Sequence, residues 1–229
     1  MITDPLLGIQ ACVFDAYGTL FDYASAAAAC RSEIGDKFER LTAIWRDKQL
    51  QYTWLRAIEG RHADFQQVTG DALDFALATL GLTNTALRGR LMGLYMTLDA
   101  FPEVPEMLRR LRSGGMKTAI LSNGSPMMLQ AAVESTGLVG LFDAVLSVEE
   151  VGVYKPDPKV YQLAVDRLGM SASAISFQSS NAWDAYAASA FGMQVVWCNR
   201  YGQMRERLPG SPDREIKTLA ELPPLVLAR

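Results

Sequence analysis

An α/β fold built on a parallel sheet, with a helical block inserted after its first strand, follows from three observations in these 229 residues. From about Phe101 onward, short apolar runs alternate with helical patterns, and such alternation marks parallel strands joined by right-handed crossovers. One further run, Cys12-Val13-Phe14, stands alone near the start of the chain and ends in Asp15. Between the two lies a stretch from Asp22 to about Met96 that contains no proline and is rich in Ala, Leu, Arg and Gln. Hydrophobic residues make up 49% of the chain, enough to fill a core.

The first run reads as a buried strand whose next residue, Asp15, projects into a crevice, with Gly18-Thr19 within a turn's reach. The ordinary alternative for such an Asp is a turn or helix cap. In the inserted block, Phe38, Leu41, Trp45, Tyr52 and Leu55 recur at helical spacing, as do Leu73, Ala76, Leu77 and Leu80 before Gly81, and Leu87, Leu91, Leu94 and Tyr95 continue the pattern. Several antiparallel helices are expected there. Val104, Met107, Leu108 and Leu111 form a helix closed by Gly114-Gly115, and Lys117 to Ser122 reads as the second strand. Ser125-Pro126 is an N-cap and first-turn pair for a helix that Gly137 ends, and Phe142 to Ser147 is the third strand. Asp157-Pro158 opens a helix that stops at Gly169. Ile175 to Ser180 and Gln194 to Cys198 are strands with a helix from Trp183 to Phe191 between them, and a last short strand is expected at Glu215 to Leu219. The simplest architecture joins residues 1–21 and 97–229 into a Rossmann-like core and sets residues 22–96 over its edge as a helical cap.

Composition narrows the function. Lys and Arg number 22 against 25 Asp and Glu, a formal charge of -3 with no basic run, which gives no case for nucleic acid or an acidic membrane surface. The spacing of Cys12, Cys30 and Cys198 argues against a disulfide framework or a Cys-rich zinc site, and a reducing cytoplasm fits. Met1 to Pro5 lacks the charged flank and apolar core of a signal peptide, and no apolar run reaches the ~18 residues of a membrane span. His62 is the one histidine, which nearly excludes a His-based triad or a His-rich metal site.

Parallel strands deliver the residues that follow them to one edge of the sheet. Asp15 and Thr19 follow the first strand, Ser122-Asn123-Gly124 the second, Lys155 the third, and Ser180, Asn181 and Asp184 the fourth. A nucleophile, hydroxyl and amide donors, an ammonium and a second carboxylate thus converge. The set Asp15-x-x-Gly18-Thr19-Leu20, Ser122-Asn123-Gly124, Lys155-Pro156-Asp157-Pro158 and Ser179-Ser180-Asn181-x-x-Asp184 resembles the four ordered motifs of the haloacid dehalogenase superfamily over essentially the full length. Most members are magnesium-dependent phosphatases with Asp-x-Asp in the first motif. Tyr17 stands where the second of those carboxylates belongs, and Ser180-Asn181 where the fourth motif would offer further acids. Hard Mg²⁺ wants anionic oxygen. The sequence is closer to the metal-independent 2-haloacid dehalogenase branch, which it also resembles in Trp45-Arg46-x-Lys48-Gln49-Leu50-Gln51-Tyr52, Val153-Tyr154-Lys155-Pro156 with Tyr161, and Asn181-Ala182-Trp183-Asp184.

That resemblance implies displacement of halide from C2 of a short L-2-haloalkanoate, through an ester on Asp15 and with inversion, to a D-2-hydroxyacid. It implies that Asp184 activates water, that Lys155 keeps Asp15 ionised, and that Arg46 takes the halide together with Asn123. Ser122 and the backbone N–H groups of Ala16 and Tyr17 would fix the substrate carboxylate. Thr19, Ser180 and Asn181 would hold Asp15, Lys155 and the water, with Tyr161 in the same network. Tyr17, Leu50, Phe65 and Trp183 would wall off the alkyl group from water. No cofactor and no metal are implied, and the family suggests a homodimer. Asp47 beside Arg46 would repel an anionic substrate, Gln178 puts an amide in a strand, and Tyr186-Ala187 replaces a more usual Thr-Gly. Two other readings stay open on this fold: a magnesium-dependent phosphatase or phosphonate hydrolase, against which Tyr17 counts, and a non-catalytic binding protein.

Overall fold

A computed structural model describes residues 4–227. Residues 1–3 and 228–229, which the sequence pattern assigns to the core, lie outside the described residues, as does most of the segment weighed as a signal peptide.

The strands are β1 (Ala11–Phe14), β2 (Phe21–Asp22), β3 (Asp99–Ala100), β4 (Lys117–Ser122), β5 (Ala144–Ser147), β6 (Ile175–Ser179), β7 (Gln194–Cys198) and β8 (Arg214–Ile216). Six of them form one sheet in the order β5-β4-β1-β6-β7-β8, and every neighbouring pair is parallel. All four residues of β1 are buried, as a strand covered on both faces requires. The chain runs from β1 to β4 and β5 on one side and returns to β6, β7 and β8 on the other, which makes β1 the switch point where a crevice opens. Phe14 lies opposite Ile120 and Gln178 in register, and the ladder continues as the Asp15 N–H donates to the Gln178 carbonyl at 2.9 Å. The polar residues after these strands therefore emerge at one edge.

Between β2 and β3 lie five helices: α1 (Ala24–Ala29), α2 (Arg31–Ile34), α3 (Phe38–Glu59), α4 (Phe65–Thr79) and α5 (Thr85–Leu94). The antiparallel pairing of β2 with β3 brings the two ends of this helical block together, a hairpin too short for the sequence pattern to reveal. The stripe along α3 holds through Trp45 and then departs: Gln49 and Thr53 are buried, while Leu55 is 47% exposed. Both polar residues tolerate burial because they are hydrogen-bonded, Thr53 to the Leu50 carbonyl at 2.7 Å and Gln49 to neighbours on α4 and beside the site. Asp47 is exposed on the outer side of this helix, so the carboxylate expected beside the substrate faces solvent.

The remaining helices are α6 (Val104–Ser113), α7 (Pro126–Ser135), α8 (Pro158–Leu168), α9 (Ala182–Phe191) and α10 (Leu222–Val226). The strand expected at Glu215 to Leu219 is β8, one residue earlier and ending at Ile216, and Pro223 sits in the first turn of α10, a helix too short for hydrophobic spacing to predict. All three cysteines are free and buried, and no helix among the described residues is long and apolar enough to cross a membrane.

Candidate active site

Asp15 is buried at the carboxyl end of β1, and among the described residues its carboxylate accepts hydrogen bonds from side chains alone. That disposes of the capping alternative, which needs a backbone N–H as donor. Oδ2 takes the Asn181 amide at 2.7 Å, the Thr19 hydroxyl at 3.2 Å and, more loosely, the Ser179 hydroxyl at 3.5 Å. Among the described residues Oδ1 meets only the Lys155 ammonium, at 3.2 Å. The same ammonium reaches Asp184 Oδ2 at 2.9 Å, so one buried cation bridges two buried carboxylates.

Burial alone drives a lysine toward neutrality, yet the charges of Asp15 and Asp184 outweigh it and hold Lys155 above its ordinary pKa. Burial pushes the Asp184 carboxyl above its usual value, Lys155 opposes the rise, and Asp15 adds to it. Tyr161 donates to the other Asp184 oxygen at 2.7 Å, and burial together with the Asp184 charge holds its phenol well above the ordinary value, so it remains an O–H donor.

The loop residues are placed by local turns. Ser122 Oγ accepts from the Gly124 N–H at 3.0 Å, and Asn123 Oδ1 accepts from the Lys155 N–H at 3.0 Å, which ties the loop after β4 to the loop that carries the lysine. Asn181 stands at the N-cap of α9 without capping it: its amide instead donates to Asp15 and to the Tyr17 carbonyl at 3.2 Å. Over the site, the Tyr17 ring packs 5.5 Å from both Phe65 and Tyr95, joining core to cap. The Tyr17 hydroxyl is buried without a partner among the described residues. Arg46, from α3, donates to Gln49 Oε1 at 2.8 Å and to Asn181 Oδ1 at 2.9 Å, with its guanidinium 4.8 Å from the Tyr23 ring. A buried carboxylate, a lysine beside it, a second carboxylate and the Arg46 guanidinium share one site roofed by aromatic rings.

The haloacid dehalogenase-like hydrolase family model matches residues 9–192. The chain belongs to this family. It is 45% identical over 220 residues to (S)-2-haloacid dehalogenase 1 of Pseudomonas sp. (strain CBS-3), covering 96% of this chain and 97% of that protein. With the (S)-2-haloacid dehalogenase of Pseudomonas sp. (strain YL) it shares 47% over 212 residues, 92% of this chain and 91% of that one. The structure of the L-2-haloacid dehalogenase from Xanthobacter autotrophicus with chloropropionic acid covalently bound superposes with a TM-score of 0.89 at 38% identity, covering 95% of this chain and 98% of that chain. As a member of this hydrolase family the chain is an enzyme, and its parallel sheet with surrounding helices is the family's fold.

Within this haloacid dehalogenase-like fold, several expected site residues sit differently. The Ser180 hydroxyl is buried without a partner among the described residues; Ser180 contributes its backbone N–H, which donates to Thr19 Oγ1 at 2.8 Å, and Ser179 is the serine that reaches Asp15. Side chains alternate across a strand, so of two adjacent serines at a strand end one faces the crevice. Arg46 hydrogen-bonds Asn181, while Asn123, expected with it at the halide, accepts from the Lys155 N–H. Trp183 stands apart from the Tyr17, Phe65 and Tyr95 rings: it meets Trp54 edge-on at 5.5 Å in an apolar groove of about 900 Å³ that also takes in Ile58, Pro158, Phe191 and Leu208. Leu50 is half-buried one turn beyond Arg46, on the same side of α3. Ala16 is buried, and its carbonyl is taken by the N–H groups of Thr19, Leu20 and Phe21. Gln49 and Tyr95 escape detection in the sequence because a polar residue at a helical core position and an aromatic near a helix end both pass for packing.

Proposed function

We propose that this chain hydrolyses short (S)-2-haloalkanoic acids to the (R)-2-hydroxyacids through an ester on Asp15, without a metal. The observation that carries the reading is the chemistry facing Asp15: an ammonium on one oxygen and neutral donors on the other. Asp15 Oδ1 attacks C2, and the C–halogen electron pair leaves as halide toward Arg46, which still has N–H groups free among the described residues. Oδ2 becomes the ester carbonyl oxygen. Water then attacks the ester carbon, giving a proton to Asp184, while Thr19, Ser179 and Asn181 stabilise the charge that develops on Oδ2. Collapse breaks the bond to the former Oδ1, which departs as the product's 2-hydroxyl oxygen. Lys155 stands beside that oxygen to supply its proton and regains one from Asp184, while the second proton of the attacking water, left on the Asp15 carboxyl, passes to solvent and restores the carboxylate. The Tyr17, Phe65 and Tyr95 rings keep water from the first step. Ser122 and the Ala16 and Tyr17 N–H groups are assigned the substrate carboxylate, and Leu50 the outer wall.

The phosphatase reading requires a hard cation on Asp15, and the donor set does not fit one: N–H groups of Asn181 and Lys155 occupy both oxygens, and no three acidic, His or Cys side chains cluster among the described residues. A homodimer and a cytoplasmic location complete the proposal, supported by Leu55 and the 83% exposed Ile58 on the cap helix α3 and by three free cysteines. Halide release from each enantiomer of 2-chloropropionate in EDTA, with Asp15→Asn beside it, tests the reading. Halide from the (S)-form alone, abolished in the variant, is expected; activity that requires added magnesium would contradict it.

A further inference from the structure

We infer that Gln49 is a positioning residue that presets Arg46 for the departing halide, an inference that rests on the proposed role of Arg46. Gln49 is 1% exposed in the middle of α3, a place where an unpaired amide is costly. Its hydrogen bonds fix which way the amide points. Thr69 Oγ1 spends its proton on the Phe65 carbonyl at 2.6 Å, so toward Gln49 it can only accept, and it does so from Nε2 at 2.8 Å. The Tyr95 hydroxyl lies 3.1 Å from the same Nε2. Oε1 is thereby turned toward Arg46, whose guanidinium it receives at 2.8 Å.

Arg46 has a second tether, Asn181 Oδ1 at 2.9 Å, but that partner belongs to the loop before α9 in the core, whereas Gln49 is on the arginine's own helix. The Gln49 tether therefore does not depend on the contact between α3 and the loop before α9. A neutral acceptor serves better here than a carboxylate, because it orients the guanidinium without cancelling the charge that must meet an anion and leaves other N–H groups unspent. The α4 residues Phe65 and Thr69 extend the same support, since the Trp45 indole donates to the Thr69 carbonyl at 2.9 Å.

Chloride binding to the resting protein, read from chlorine-35 NMR line broadening, tests this without turnover. In Gln49→Met the chloride dissociation constant should rise about tenfold, the scale of one hydrogen bond to a charged group. In Gln49→Glu, whose charge competes with the anion for Arg46, it should rise further. In an Arg46→Met background Gln49→Met should change nothing more, because its effect runs through the arginine. Equal chloride affinity in wild type and Gln49→Met, or the same loss with and without Arg46, overturns the inference while leaving the dehalogenase reading intact if the wild type still releases halide. A wild type that neither binds chloride nor releases halide overturns both.

Discussion

As the proposed base, Asp184 meets two opposed demands: it must be ionised to take a proton, and its burial resists ionisation. Lys155 and the Tyr161 hydroxyl favour the charged form, and the net direction remains upward. The acid limb of kcat/KM should therefore lie above the ordinary carboxylate range. Tyr161→Phe removes a donor to Asp184 and should move that limb to higher pH by about one unit, equivalent to ~1.4 kcal/mol; a limb that stays put would separate Asp184 from the rate. The stability signs differ for the two partners. With its pKa raised on folding, Asp184 keeps a proton that the unfolded chain releases, so its contribution falls as pH rises from the ordinary carboxylate value through its folded one. Lys155, also raised, contributes fully below its unfolded pKa and loses that only as pH passes its folded value, so it is constant across neutral pH.

At the scale of elements, α9 sets both Asn181 and Asp184, and besides packing on the sheet it is braced by the loop between β7 and β8. Ser189 on α9 donates to the Ser211 carbonyl at 2.7 Å and accepts from the Ser211 N–H at 3.1 Å. Gly210, at φ +85°, packs against the helix so closely that an added Cβ would stand 2.4 Å from the Tyr186 carbonyl. Gly210→Ala should lower unfolding free energy by about 2 kcal/mol in urea titration and reduce kcat, since strain of that order has no flexible side chain to absorb it; unchanged stability would show that the loop can move off α9. The replacement of a Thr-Gly pair by Tyr186-Ala187 is accommodated: Tyr186 is buried and Ala187 is half-buried on the groove side. Gln178, the amide in β6, finds Ser176 Oγ at 2.6 Å for its N–H but no partner for Oε1 among the described residues.

Over the whole molecule, the parallel core and the residues at its edge were legible because strand periodicity and strand order decide where Asp15, Lys155 and Asp184 emerge. The inner surface of the cap was not. Its contacts join residues distant in sequence, such as Tyr154 donating to the Ala63 carbonyl and His62 Nε2 2.8 Å from Glu149 Oε2. Those pairings depend on how the helices settle on the core, and hydrophobic spacing carries no information about buried polar partners such as Gln49. The closed arrangement nevertheless makes one claim about chemistry: the oxygen delivered to the product comes from Asp15, and water replaces it on the enzyme. A single turnover of excess enzyme with (S)-2-chloropropionate in ¹⁸O-labelled water, followed by mass spectrometry of the Asp15 peptide and of the product, tests it. Label in the Asp15 carboxylate and unlabelled 2-hydroxypropionate are expected; label in the product with none in Asp15 would mean that water attacks C2 directly.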